Sequence, residues 1–230
     1  MAEQPVTVAV STVIFGLQPP AEPRDDALGG LAVHLPLVQR VREPHLGRWA
    51  LPGGPLHADE SLREAARRNL AGTTGLRPTH LEQLYTFGAV ERGVPATPEE
   101  PRVVSVVYWA LVRTEVAATT VDDEHVAWFP AEDLPPLAFD HEEIVGWAVR
   151  RLKNKLEYTH LSHALLPEEF TLGQLREVHE AILGRRLDPA NFRRRVEATG
   201  TVAPTGAHQA GVRHRPPALY RSTAREELLT

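Results

Sequence analysis

Near its end the chain reads Asp188-Pro189-Ala190-Asn191-Phe192-Arg193-Arg194-Arg195-Val196, a run whose polar members suit chemistry with a polyanion. On a helix, at about 100° per residue, Phe192 and Val196 share one face and must be buried. Arg194 then points almost directly away, with Ala190 and Asn191 to either side of it and Arg193 and Arg195 on opposite flanks. Exposed Asn and Arg at the start of a helix match base edges, Arg to guanine and Asn to adenine, while the flanking arginines suit a phosphate or a base equally. A solvated basic face is the plainer reading of surface arginines, but the flanking sequence favours DNA. Thr171 is placed to cap a helix with the stripe Leu172, Leu175, Val178 and Ile182, which Gly184 closes. Asp188-Pro189 then supplies an N-cap and the favoured first-turn proline, so two short helices meet across a tight turn as a helix-turn-helix. Val202 to Tyr220, with turns marked by Pro204, Gly206 and Gly211, reads as a β-hairpin wing. Its basic tip holds Arg213, His214 and Arg215, suited to salt-dependent phosphate contact. Thr171, Asn191, Arg193, Arg194, Arg195, Arg213, His214 and Arg215 are thus the candidate DNA-binding residues.

A second constellation lies in the front half. Gly54, Glu60, Arg68, Leu70, Gly75 and Leu76 stand at fixed spacing behind Leu51-Pro52-Gly53-Gly54. This segment resembles the Nudix box, in which Gly is followed by Glu six residues on, then by Arg-Glu, an aliphatic, Glu-Glu, Gly and an aliphatic. In that family the helix glutamates hold the divalent cations that neutralise a diphosphate and activate water, because Mg²⁺ wants hard, charged oxygen ligands. Here those positions are Asn69, Gly72 and Thr73, so three carboxylates have become none. Glu60 and Arg68 remain as an ion pair that structure alone would retain. The resemblance therefore implies a Nudix scaffold without catalysis, with no catalytic residue, metal site or cofactor expected. Arg48-Trp49-Ala50-Leu51-Pro52-Gly53-Gly54 resembles the pocket lining of ADP-ribose-binding Nudix proteins, which makes Arg40, Arg48, Trp49, Gly53, Gly54 and Glu60 candidate ligand-binding residues. Arg40 and Arg48 suit bidentate pairing with a pyrophosphate. Trp49 reads equally as a stacking platform or as core, whereas Phe15 reads as core. His57 and Asp59 read as solvated loop.

The elements that must position these residues follow from periodicity. Val6 to Phe15, ending at Gly16, and Leu31 to Val41 read as strands. Val103 to Val112, apolar on both faces, reads as a central strand. Asp59 to Leu70 reads as a helix with the stripe Leu62, Ala65, Ala66 and Leu70, flanked by glycines at 53, 54, 72 and 75. His141 to Leu156 reads as a helix with Ile144, Trp147, Ala148, Leu152 and Leu156 at helical spacing and Asp140 as N-cap. Pro19 to Gly30 and Arg92 to Pro101 read as loops, the latter exposed and mobile. The expected fold is an α/β one, a Nudix α/β/α sandwich with a mixed sheet followed by a winged helix-turn-helix. Residues 1–157 form the sensing domain and 158–230 the DNA-binding domain.

Charge divides in the same way. Residues 1–149 carry 11 Arg against 21 Asp and Glu, and residues 150–230 carry 14 Lys and Arg against 9 acids, so only the rear is basic. An acidic front with a basic rear directs a polyanion to the rear alone. The absence of cysteine excludes disulfides and thiolate catalysis, and a zinc site from the wing histidines is not expected. No apolar run approaches the ~18 residues of a membrane span, and Met1 to Pro5 lacks the basic start of a signal peptide, which points to the cytoplasm.

Both halves together resemble the Nudix-related transcriptional regulators of NAD metabolism. In the rear this rests on Phe170-Thr171-Leu172, Leu187-Asp188, Asn191-Phe192-Arg193-Arg194 and Arg215-Pro216-Pro217-Ala218-Leu219-Tyr220. The resemblance implies a homodimeric repressor of NAD-biosynthesis or related genes, bound to a palindromic double-stranded operator and responsive to ADP-ribose or a related nucleotide. One helix-turn-helix covers one half-site, so a palindrome needs two copies. Two alternatives stay open. One is an active Nudix hydrolase drawing acids from Glu60 with Glu64 or from the 92–101 loop. The other is a nucleotide-binding scaffold whose winged helix recruits a protein.

Overall fold

The computed structural model describes residues 5–19, 30–78, 81–90, 92, 101–113, 117, 120–121, 123–158, 161–209 and 216–223. Its frame is a mixed seven-stranded sheet. The strands are β1 (Val6–Gln18), β2 (Ala32–Gln39), β3 (Trp49–Ala50), β4 (Gly53–Pro55), β5 (Glu82–Phe87), β6 (Arg102–Leu111) and β7 (Val126–Pro130). Their order is β3-β2-β1-β6-β5, with β4 on β1 and β7 on β2. β1 and β6 run parallel over ten residue pairs, from Val6–Arg102 to Phe15–Leu111. The other pairings are antiparallel.

Because alternate strand residues face opposite sides, β1 and β6 must be apolar on both faces to sit in the middle. One face buries Val10, Ile14, Val106, Tyr108 and Ala110 against α1 (Leu62–Thr74). The other buries Val13, Phe15, Leu17, Val107 and Trp109 against Ile144, Val145, Ala148 and Leu152 of α2 (His141–Tyr158). β1 runs on through Gly16 to Gln18 rather than stopping there. A Cβ at Gly16 would lie 3.1 Å from the Trp128 ring, so this glycine makes room for β7 instead of ending a strand. Gly72, expected to flank α1, lies inside it. Ser61 and Glu64 form a capping box at its start, and Gly75 closes it in the left-handed region. Asp140 precedes α2, but its carboxylate takes both prongs of the Arg92 guanidinium. The remainder of the 92–101 loop up to residue 100, and residues 20–29 of the first loop, lie outside the described residues.

After a 3₁₀ turn at Leu161–Leu165 come α3 (Leu172–Leu183), α4 (Pro189–Thr199) and the antiparallel ribbon β8 (Val202–His208) with β9 (Ala218–Ser222). A Phe170–Tyr220 bridge ties the ribbon to the start of α3. Leu175, Val178 and Ile182 of α3 join Ile144, Leu152 and Leu156 of α2 in one continuous core. No helix among the described residues is long and apolar enough to cross a membrane.

Candidate ligand pocket and nucleic-acid interface

The pocket floor is built around Glu60 and Arg68. Arg68 donates to Glu60 through Nε at 2.8 Å and Nη2 at 2.6 Å, and also reaches the Pro55 carbonyl. The His57 backbone N–H donates to the same carboxylate. The Arg68 hydrogen bond is the main reason the Glu60 carboxyl is held down to about 2. His57 and Asp59 are exposed. Glu64 accepts from the Ser61 N–H and hydroxyl. Both acids proposed as substitute metal ligands are thus already engaged.

The three positions that carry carboxylates in Nudix hydrolases do not fit a divalent cation. Asn69 is buried, with its amide donating to the Val10 carbonyl and its Oδ1 accepting from Arg68 at 2.8 Å. Gly72 has no side chain. The Thr73 hydroxyl donates to the Asn69 carbonyl at 2.7 Å. Asn69 also explains Gly54: a Cβ there would lie 2.7 Å from Asn69 Oδ1, and one at Gly53 would lie 2.9 Å from the Val10 carbonyl. The paired glycines let β4 close down between β1 and α1. At these three positions no carboxylate stands where a divalent cation would need one, and no step through a metal follows from them.

At the rim, Arg40 follows β2 and Arg48 precedes β3. Arg40 Nε donates to the Pro44 carbonyl at 2.6 Å, and its guanidinium lies 4.7 Å over the Phe139 ring. Arg48 is exposed. Trp49 is half-buried and meets Phe129 edge-to-face, so its ring serves the core on that side. Phe15 is fully buried. Phe139 and His141, which lie beside this rim, carry no signal in residue type or spacing that marks them as site residues. Phe139 is exposed at a φ of 55°, a strained backbone for an aromatic residue, and meets His45, itself at φ 66°. His141 Nδ1 accepts the Leu51 N–H at 2.9 Å, fixing the strand that leads into Pro52-Gly53-Gly54. Burial pushes its imidazole down to about 4, so it stays neutral.

The helix-turn-helix is pinned by a buried carboxylate that sequence reasoning also missed. Glu180, fully inaccessible, accepts the Leu187 N–H at 2.8 Å and faces Arg176 at 3.5 Å, which fixes the turn between α3 and α4. Asp188 caps α4 by accepting from the Asn191 N–H, and Pro189 opens it. Phe192 and Val196 are buried, while Asn191, Arg193, Arg194 and Arg195 are exposed. Arg193 is drawn along its own helix to Glu197 at 2.9 Å. Thr171 caps α3 as its position in the sequence leads one to expect. It is buried, and its hydroxyl accepts from Gln174 N–H in a capping box, which commits it to the helix start rather than to a phosphate. Arg213, His214 and Arg215 lie outside the described residues.

Residues 31–148 match the NUDIX domain model, and residues 163–222 match the model of the NrtR DNA-binding winged helix domain. The chain belongs to the NrtR family. The ADPR-responsive transcriptional repressor NtrR of Acinetobacter baylyi is 36% identical over 192 residues, which span 80% of this chain and 74% of that protein. The crystal structure of Shewanella oneidensis NrtR complexed with a 27mer DNA superposes with a TM-score of 0.73 at 34% identity, covering 94% of this chain and 93% of that one. The NUDIX domain of the same NrtR complexed with ADP ribose superposes at 0.50 with 33% identity, covering 66% of this chain and 91% of that one. In this NrtR chain the two matched segments flank residues 149–162, where α2 ends and the 3₁₀ turn begins.

Proposed function

We propose that this protein is a transcriptional repressor that reads a palindromic operator as a homodimer and senses ADP-ribose or a related nucleotide without hydrolysing it. Residues 1–157 act as the sensor and residues 158–230 as the DNA reader. The observation that carries this reading is the pairing of an exposed Asn191-Arg194 face on a capped second helix with a Nudix floor whose metal positions hold Asn69, Gly72 and Thr73. The Acinetobacter and Shewanella relatives support both halves by what they respond to and bind.

On DNA, the N-terminal half of α4 enters the major groove, Arg194 and Asn191 meet base edges, and Arg195 with the wing residues Arg213, His214 and Arg215 supplies phosphate contacts. In the sensor, Arg40 and Arg48 clamp the pyrophosphate beside Gly53 and Gly54, and Trp49 borders the site. Glu60 acts through Arg68, holding the glycine turn in shape. Capture without chemistry follows from the floor: binding needs positive rim charge, and turnover needs the carboxylate-held cation that these residues do not fit.

The test is binding of the purified protein to promoter DNA with and without ADP-ribose, with ADP-ribose hydrolysis followed in the same samples. The expected result is specific binding that ADP-ribose weakens, with no turnover. Turnover in Mg²⁺ without specific DNA binding would overturn the reading in favour of a hydrolase.

A further inference from the structure

We propose that a second copy of this chain docks on the outer face of α2, across a two-fold axis that passes between Gly146 and Trp147. The inference rests on the reading that two copies serve one palindrome, and adds the surface that joins them.

Three observations converge on this face. First, Tyr85 of the edge strand β5 and Trp147 stack in parallel, 5.3 Å apart and 5° from coplanar, yet Tyr85 is 52% and Trp147 41% exposed. Phe87 supports both rings edge-on from below. Two large aromatics held rigid against solvent have lost their rotamer freedom before any partner arrives, which is what a binding anchor requires.

Second, Gly146 is unexplained by the chain's own packing. A glycine inside a helix is less favourable there than alanine, because it has more backbone freedom to lose. A Cβ at this position would meet only the flexible tip of Arg150, at 3.5 Å. The missing side chain leaves a shallow seat on the surface next to the exposed indole.

Third, the charges are self-complementary. Glu143, Trp147, Arg150 and Asn154 form the exposed stripe of α2. The neighbouring Arg151 and Lys155 are already paired with Glu82, whereas Glu143 has no ion pair with a described residue and Arg150 lies 5.1 Å over the Trp147 ring. When two α2 helices cross antiparallel about the midpoint of Gly146 and Trp147, each indole falls on the glycine seat of the other copy. The same operation brings each Glu143 opposite an Arg150. Both pairs are symmetric about the same point, as an isologous interface demands. A partner of unrelated sequence has no reason to match that symmetry, so the occupant is a second copy.

The test is light scattering and sedimentation equilibrium of the full chain, without DNA, at micromolar concentration. Wild type is expected to be a dimer, and Trp147→Glu a folded monomer by circular dichroism. Glu143→Arg and Arg150→Glu should each weaken dimerisation about fivefold or more, since each change places two like-charge pairs in the interface. The double charge reversal should recover most of the loss. These two positions are exposed and make no described ion pair, so the charge series reads the surface even where Trp147→Glu does not fold. A monomeric wild type, a Trp147→Glu dimer as tight as wild type, or a double reversal no better than the single changes each overturns the surface. A chain that binds a palindrome while dimerising indifferently to these changes overturns this proposal and spares the functional reading. Dimerisation through α2 with no specific DNA binding does the opposite.

Discussion

Acidification should destabilise this protein through two buried histidines, well before its carboxylates titrate. His141 accepts the Leu51 N–H through Nδ1, and His179 lies against Phe192 with Nε2 3.1 Å from the Ser162 hydroxyl. Burial is the leading cause in both cases and pushes each imidazole down to about 4 from 6.5. A folded value below the unfolded one means the unfolded chain takes up protons first as pH falls. The stabilisation is therefore complete above 6.5 and is lost between 6.5 and 4. At pH 5 an unfolded imidazole is almost fully protonated and the folded one about a tenth, which costs about 2 kcal/mol per histidine at ~1.36 kcal/mol per pH unit. Together they remove about 4 kcal/mol, a large part of the ~5–15 kcal/mol that holds a typical domain. The assay is urea unfolding at pH 7.5 and 5.0 for wild type and for the double variant His141→Asn, His179→Gln, whose amide oxygens stand near the replaced ring nitrogens. The variant removes these two histidines from the eleven in the chain, so the difference in pH slope isolates them. Equal loss of stability in both proteins would refute the reasoning, because the pH dependence would then arise elsewhere.

Further outcomes can be checked on the same material. Arg194→Ala should cost ~1–3 kcal/mol in specific operator binding with an unchanged melting temperature, measured by fluorescence anisotropy. Glu180→Ala leaves the Leu187 N–H without its acceptor inside the helix turn and should cost about 1–3 kcal/mol in urea unfolding, while Glu180→Gln retains the acceptor and should cost less. The triple change Asn69→Glu, Gly72→Glu, Thr73→Glu should lower the melting temperature in chelator and regain it in millimolar Mg²⁺, whereas wild type should ignore the ion. Mg²⁺-dependent hydrolysis of ADP-ribose by that variant, followed by phosphate release after phosphatase treatment, measures how much of the remaining pocket still serves catalysis.

What the sequence disclosed and what it hid follow from the kind of signal each element carries. The helix-turn-helix was legible because caps are local: Thr171, Gly184 and Asp188-Pro189 each do their work within three or four residues of their position. β1 and β6 were legible because central strands need apolar residues on both faces. β3, β4, β5 and β7 were not, because strands of two to six residues with half-buried patterns give periodicity too little length. Ser61 with Glu64 was a capping box in plain view, and its presence moved the start of α1 three residues past the expected Asp59. Phe139, His141 and Glu180 could not be found, since each owes its role to partners far along the chain or to a backbone angle that residue type does not encode. The direction in which Asn69 points was equally hidden: its loss of charge was evident, its contact with Gly54 was not.

The same long-range contacts decide how the two halves can communicate. Arg40 at the rim directly follows β2, and α3 packs against β2 as well as against α2. α2 begins at His141, whose ring holds Leu51 and hence the glycine turn. Gly184, at the turn into α4, lies 3.5 Å in Cβ reach from Glu132, which follows β7, the strand paired with β2. The helix that packs against the reading helix, α3, is therefore itself seated on β2 and α2. A displacement of β2 or of the start of α2 would meet α3 first, and the Glu180–Leu187 hydrogen bond joins α3 to the turn into α4. If coupling runs through this turn, Glu180→Ala, which removes the acceptor of the Leu187 N–H, should reduce the factor by which ADP-ribose changes operator affinity, and Glu180→Gln, which keeps it, should leave that factor near wild type.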